Sequence, residues 1–315
     1  MFYKPMFRFV PDGTKIRFMN GRFAGLIVSA VLSTSSILLF FYPGLNMGLD
    51  FRGGVVLQVQ TPAAANFATL RTALASAGLK DAALQSFGNG GNGVLISLES
   101  RDNAAQTQTA ITEAETALNA AAPGSKILST QAIGASVSHD LFTQGLEALG
   151  LSFVMILFYI WFRFEWQFAA GAVTTLILDT TKTIGFMVLT RIPFDLVTIA
   201  AILTIIGYST NDKVVVYDRV RENLRKYKTM PLRQLIDLSI NETLNRTLGT
   251  SGTVFLAALP LALFGGSALS GFAWIMLFGI IVGTSSSIFI AAPILLFLGE
   301  HRLRRSAAPV KVTTS

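Results

Sequence analysis

The sequence predicts an α-helical membrane protein in which six transmembrane helices carry one small α+β domain, inserted between the first helix and the second. Three observations predict it. Apolar runs long enough to cross a bilayer, which takes about 20 residues each, recur along the chain. Basic residues gather on alternate connections between those runs, as they do on the cytoplasmic side of membrane proteins. One stretch after the first run breaks the pattern and alternates short strands with helices. Composition agrees: 51% of residues are hydrophobic and 14% charged, against about 25% charged in soluble domains. The net charge of +7 sits beside apolar runs, which marks membrane orientation and not a nucleic-acid partner. The absence of cysteine excludes disulfides and thiolate metal sites.

Residues 1–22 form a cytoplasmic N-terminal segment, with Lys4, Arg8, Lys15, Arg17 and Arg22 against the single acid Asp12. The first span covers 23–43 and stops at Pro43-Gly44. It exceeds the 7–15-residue apolar core of a signal peptide and lacks a small-residue cleavage site, so it reads as uncleaved, basic end inside. Residues 44–140 are slightly acidic and suit the outer, periplasmic side. Strands are predicted at 55–60, 82–87, 94–98 and 126–132, with helices near 65–77 and 103–121. That β-α-β-β-α-β order is the ferredoxin-like motif. The run Gly88–Gly93 fits a hairpin tip and not a phosphate cradle, because no helix opens after it.

Residues 141–298 read as a five-helix membrane domain with runs at Leu141–Phe162, Phe168–Leu189, Leu196–Tyr217, Leu244–Phe264 and Phe272–Leu298. A cytoplasmic loop is expected at 218–243, with Arg219, Arg221, Arg225, Lys226, Lys228 and Arg233, and a cytoplasmic tail at 299–315, with Arg302, Arg304 and Arg305. Arg163 and Glu165 fall in a short inner turn, Arg191 and Asp195 in a short outer one. The basic clusters fall on one side, so both termini are expected in the cytoplasm.

Charges inside the spans single out candidate functional residues. An ionisable side chain at membrane depth costs roughly 2.5–3.5 kcal/mol on insertion scales and is functional by default. Asp212 interrupts the fourth span beside Asn211, roughly 25 Å along its helix and in the inner third of the bilayer. Arg246 enters the fifth span from inside at similar depth, so an Asp212–Arg246 contact is expected. Glu242, Thr250 and Thr253 share the arginine's stripe. Asp179 falls near mid-membrane on the third span, with Thr175, Lys182 and Thr183 on its face. Hydroxyls at 283–287 complete a polar seam between spans three to six. A carboxylate held between desolvation, which favours its neutral form, and a cation, which favours its charged form, can exchange protons near neutral pH. The structural alternative is a set of static pairs, Asp179 with Lys182 and Asp212 with Arg246, that fix helix register.

Other features read as structural. Lys213 points about 100° away from Asp212 and is expected to snorkel to the inner interface. Glu147 reads as interfacial. Gly21-x-x-x-Gly25 and Gly279-x-x-x-Gly283 are packing motifs. His139 and His301 lack a metal-ligand partner. Phosphate-loop, zinc-hydrolase and serine-nucleophile signatures are absent. No enzyme chemistry, metal or cofactor is therefore expected, and the energy source reads as an ion gradient, with protons the coupling ion.

Three blocks resemble the SecD/SecF family of bacterial protein-export proteins, in its smaller-partner branch, over essentially the full chain. Asp50-Phe51-Arg52-Gly53-Gly54 is similar to its DFxGG motif. Ile206–Asp212 with Tyr217–Asn223 resembles GYSxND…DRxREN, and Asn241–Thr247 with Thr250–Thr253 resembles TLxRTxxTSxT. The resemblance implies an RND-superfamily subunit of the inner membrane, working with SecD beside the SecYEG channel and YajC on exported unfolded polypeptides. Proton flow would then promote late steps of translocation. It also implies a proton relay of Asp212, Arg246 and Asp179, and makes Asp50, Phe51, Gly53 and Gly54 a periplasmic hinge. The chain departs from the family with Leu178 before Asp179, where histidine is frequent, and with Lys182 and Lys213 at usually uncharged positions. A passive scaffold for SecD and a small-molecule efflux component are the alternatives. The small outer domain argues against the latter.

Overall fold

The structure, a computed structural model, describes residues 11, 14–87, 91–99 and 104–298. The basic ends at 1–10 and 299–315, His301 among them, and positions 88–90 of the expected hairpin tip lie outside the described residues.

After a short 3-10 turn at Phe18–Asn20, the first apolar helix, α1, spans Arg22–Phe41. A single-turn helix, α2 (Leu49–Arg52), then leads into the small domain: β1 (Gly54–Gln60), α3 (Phe67–Ser76), β2 (Ala83–Phe87), β3 (Gly93–Leu98), α4 (Ala104–Ala121) and β4 (Lys126–Ile133). The four strands pair antiparallel in the order β2-β3-β1-β4, the arrangement of the ferredoxin-like order read from the sequence. Alternation drives it. Val55, Leu57 and Val59 of β1 and Val94, Ile96 and Leu98 of β3 point to one face, where they bury against Leu70 and Leu74 of α3 and Ala114 and Leu118 of α4. Asn66 starts α3 by accepting hydrogen bonds from the Ala68 and Thr69 amides at 3.1 and 3.2 Å, which satisfies donors that a helix start otherwise leaves unpaired.

Five longer helical segments follow: α5 (Ala135–Arg163), α6 (Trp166–Thr190), α7 (Leu196–Lys226), α8 (Leu232–Phe264) and α9 (Gly266–Ser286). α9 continues through a π-helical turn, Ser287–Ala291, into α10 (Ala292–Phe297). With α1, six helices among the described residues are long and apolar enough to cross a membrane. Exposed large apolar side chains on α1 and α5, such as Phe23, Val31, Leu151 and Phe158, belong to a lipid-facing or partner-facing surface.

The C-terminal end of α7 and the start of α8 differ from expectation. Of the segment 218–243, read as a loop, α7 takes residues up to Lys226 and α8 begins at Leu232, leaving only Tyr227–Pro231 between them. The physical reason is amphipathicity: charges occupy one side of both helix ends while Val220, Leu224, Leu232, Leu235 and Ile236 bury on the other, so a charged stretch here is a helix face. Asn223 bridges the two by donating to Ser239 Oγ at 3.0 Å and to Glu242 at 2.7 Å. The segment before α1 docks on the same extension. The Ile16 amide donates to Asn241 Oδ1 at 3.0 Å and the Met19 amide to Asp237 at 2.9 Å.

Candidate functional site: a charged seam inside the helix bundle

α7 is central to the bundle, packed against α6, α8 and α9. Small residues set its spacing. A side chain at Gly283 of α9 would begin 3.1 Å from Ser209 of α7, and one at Gly279 would collide with Ile205. Both glycines of the predicted packing motif thus let α7 and α9 approach closely. In the space so defined the polar residues fall into two clusters, each around a carboxylate that is 1% exposed.

The first surrounds Asp179 of α6. Its Oδ2 accepts from Lys213 Nζ at 2.9 Å, Ser209 Oγ at 2.8 Å and Ser286 Oγ at 2.6 Å. Its Oδ1 accepts no hydrogen bond and lies 3.6 Å from Lys182 Nζ. Lys213 is itself tied to Ser209 through both its hydroxyl and, at 3.3 Å, its carbonyl. Lys182 and Lys213 are 4% and 1% exposed. The expectation that Lys213 snorkels to the inner interface is therefore wrong. The turn of about 100° from Asp212 aims it across to α6, where a buried carboxylate compensates the ammonium better than a distant interface could.

The second cluster surrounds Asp212 of α7. Its Oδ2 accepts from Thr284 Oγ1 of α9 at 3.3 Å and Ser251 Oγ of α8 at 3.4 Å. Those hydroxyls are 2.7 Å apart, and Tyr208 donates to Ser251 at 3.3 Å. Among the described residues no cation lies within ion-pair distance of Asp212.

The expected Asp212–Arg246 contact is accordingly not formed, and Arg246 is exposed. Helix phase explains this. Thr243, Thr247 and Ser251 recur every fourth residue on the buried face of α8; Arg246 and Thr253 fall on the exposed side and Thr250 between. Thr250 spends its hydroxyl on the backbone carbonyls of Arg246 and Thr247, Thr253 on that of Thr250. Asn211 is also exposed. Glu242, grouped with Arg246 in the sequence, instead pairs with Arg219 at 2.7 Å. The sequence alone does not single out Ser209 and Ser251 as partners of the acids, or Tyr208 as the donor to Ser251, although Ser209 and Tyr208 stand beside Asp212 in one block and α8 carries hydroxyls at period four.

The Asp50–Gly54 segment docks on the N-terminal end of α7. Asp50 Oδ2 accepts from the Leu196 amide, the first of α7, at 3.0 Å, a placement the positive helix N-terminus favours. The Gly48 amide donates to the Phe194 carbonyl at 2.8 Å, and the Phe194 amide to that of Asn46 at 2.7 Å. Phe51 packs between Phe142 and Phe194, with centroids 5.4 and 5.3 Å away. Gly53 and Gly54 then turn the chain into β1 with φ of 70° and 115°, a backbone region that glycine enters without the steric cost of a Cβ. Beside this contact Asp195 caps α7 through the Thr198 amide at 2.8 Å. Burial pushes its carboxyl above the usual range, against the lowering effect of the Thr198 bonds. Toward the C-terminal end of α7, Tyr217 donates to the Ala291 carbonyl at 2.9 Å, where α9 passes through its π turn.

Six membrane-length helices around buried acids, lysines and hydroxyls define a multi-pass membrane protein with a charged interior. The chain belongs to the SecD/SecF family of protein export membrane proteins. The family's C-terminal model matches residues 113–301 and its GG-motif model residues 38–61, which hold Asp50–Gly54. The protein translocase subunit SecF of Rhodobacter capsulatus is 39% identical over 314 residues, covering 96% of this chain and 94% of that protein. The SecF of Rickettsia rickettsii is 41% identical over 300 residues, covering 95% and 96%. Among solved structures, the crystal structure of SecDF from Thermus thermophilus matches with a TM-score of 0.82 at 30% identity and covers 91% of this chain. A SecDF structure in a Super-membrane-facing form gives 0.61 at 30% identity and covers 96%. The chain spans 39% and 41% of the length of those two SecDF chains.

Proposed function

We propose that this chain pairs with SecD in the bacterial inner membrane, both termini cytoplasmic, and uses the proton gradient to promote late steps of protein export through SecYEG. Asp212 is the proton-exchanging group. The observation that carries this is the kind of partner it has. Serine and threonine hydroxyls donate to a carboxylate and accept from a carboxylic acid by rotating, so Ser251 and Thr284 suit Asp212 in either protonation state. Ammonium groups only donate, which suits Asp179 to one state and to a structural task. The relatives named SecF and the likeness to SecDF support the export role.

Two further features support the coupling. Arg246 stands exposed at membrane depth, where an unpaired cation is costly. A second membrane subunit that offers an acid to that face removes the cost, and SecD fills that place. The helix that carries Asp212 is also the one whose outer end Asp50 holds, so a shift of α7 on protonation acts on the turn that leads into the α+β domain. Asp212→Asn is expected to abolish gradient-dependent export while assembly with SecD persists. Normal export by a well-expressed variant would overturn the proposal and leave the passive scaffold.

A further inference from the structure

The seam contains two lysines where one carboxylate lies in reach. Lys182 and Lys213 both face Asp179, and burying an unbalanced charge costs several kcal/mol. With Asp212, next to Lys213 in the chain and equally buried, the set holds two acids and two bases. It is neutral when all four are charged. Protonating Asp212 leaves an excess of one positive charge that some other group must shed. The surroundings decide which. Lys213 is held by Asp179 at 2.9 Å and by Ser209, whereas Lys182 lies 3.6 Å from Asp179, too long for a hydrogen bond. Lys182 is the more weakly held.

We infer that Lys182 is a second proton-exchanging group, which releases a proton when Asp212 takes one up. Its ammonium becomes the amine, Lys213 stays paired with Asp179, and the net charge of the seam remains zero. The groups that face Lys182 allow this. α6 offers Asp179 and α7 offers Lys213. From α9 Ser286 reaches Asp179, neither α9 nor α1 brings a charge to this depth, since Arg22 lies at the far inner end of α1, and α5, which also packs on α6, carries Glu147 on its exposed face. α1 packs against α6 with Ser36 on Gly185. One turn inward from that contact, Ser33 stands at the level of Lys182. Among the described residues the buried hydroxyls of Ser33 and, a further turn along, Ser29 have no hydrogen-bond partner. They can donate to an amine lone pair, as an ammonium would not require.

This rests on the reading of Asp212 as the titrating acid. The test is nuclear magnetic resonance of the full chain in lipid nanodiscs, with lysine labelled at 15Nζ and aspartate at the carboxyl carbon, followed across the neutral pH range. The Lys182 signal is assigned by its loss in Lys182→Gln. Asp212→Asn, which mimics the protonated acid, is expected to move the ammonium-to-amine midpoint of Lys182 down by about one pH unit, a tenfold change in proton affinity. Lys213→Gln, which removes a competing cation, is expected to move it up by a similar amount. Shifts of equal sign, or none, overturn the inference, as does an ammonium that persists unchanged in every variant. If one variant fails to fold, the sign given by the other decides. A carboxyl signal of Asp212 that never titrates overturns the proposed function; a titrating Asp212 beside an unresponsive Lys182 overturns this inference alone.

Discussion

Asp179 and Asp212 are both 1% exposed, sit on neighbouring helices and are not distinguished by burial or residue type. Their partners separate them. Asp179 is clamped by two lysines and two serines from α6, α7 and α9. Asp212 is met by hydroxyls of α8 and α9 and, among the described residues, by no cation within ion-pair distance. The first arrangement is stable in one ionisation state, the second in two. A buried acid is therefore not by itself evidence of proton handling; the chemistry of what touches it is. One seam holds a charge lock and a charge switch side by side, joined by the consecutive residues Asp212 and Lys213.

The comparison is broken most directly by making the same substitution at both sites. Asp179→Asn leaves two buried ammonium groups without a counter-charge, and a buried pair that loses one member costs about 3–5 kcal/mol. The unfolding midpoint in detergent should fall sharply. Asp212→Asn breaks no ion pair, the excess charge it leaves is shed by Lys182, and the amide still hydrogen-bonds the hydroxyls, so its cost should stay within about 1 kcal/mol. Equal losses would erase the distinction. A second, smaller effect sharpens it. Combining Asp179→Leu with Lys213→Met should recover most of the stability that Asp179→Leu alone loses, because removing both members of a buried pair is often near neutral. The check is a double-mutant cycle of unfolding midpoints.

A third prediction tests whether both clusters depend on the α7–α9 spacing. Gly283→Val places bulk against Ser209, a partner of Asp179, next to Thr284, a partner of Asp212. Overpacking of this kind costs roughly 1–3 kcal/mol, and both stability and gradient-driven export should fall together. An effect on export alone would mean that only the Asp212 cluster feels the contact.

The smallest effect concerns Asp195, an acid outside the spans that serves as a control. Burial holds its carboxyl above the ordinary range and the nearby Asp50 adds to the rise. A carboxyl raised on folding contributes stability that is present below its unfolded value and is lost as pH rises through its folded value. Asp195→Asn keeps a good helix cap, changes stability by about 0.5 kcal/mol, and should flatten the fall in unfolding midpoint across the acid range. An unchanged pH profile would remove Asp195 from the account.

Much of this was legible in the residues because it depends on period and length. Six apolar runs state their own spans. Alternating residues such as Val55, Leu57 and Val59 mark a strand that buries one face. The cost of charge in lipid singles out Asp179, Lys182 and Asp212 without reference to any partner. The charged ends of α7 and α8 read as loop in the sequence because the hydrophobic side of that face is sparse and interrupted by basic residues, a signal weaker than the apolar runs beside it.

Which charge meets which was decided only in three dimensions. Linear spacing puts Lys213 beside Asp212 and places Arg246 at the same depth on the next helix, yet Lys213 crosses to Asp179 and Arg246 faces outward. Each partnership depends on the rotation of a whole helix about its axis, set by close contacts such as Ser209 on Gly283. A rotation of that kind is a property of the packed bundle, summed over many contacts, and no local stretch of sequence carries it.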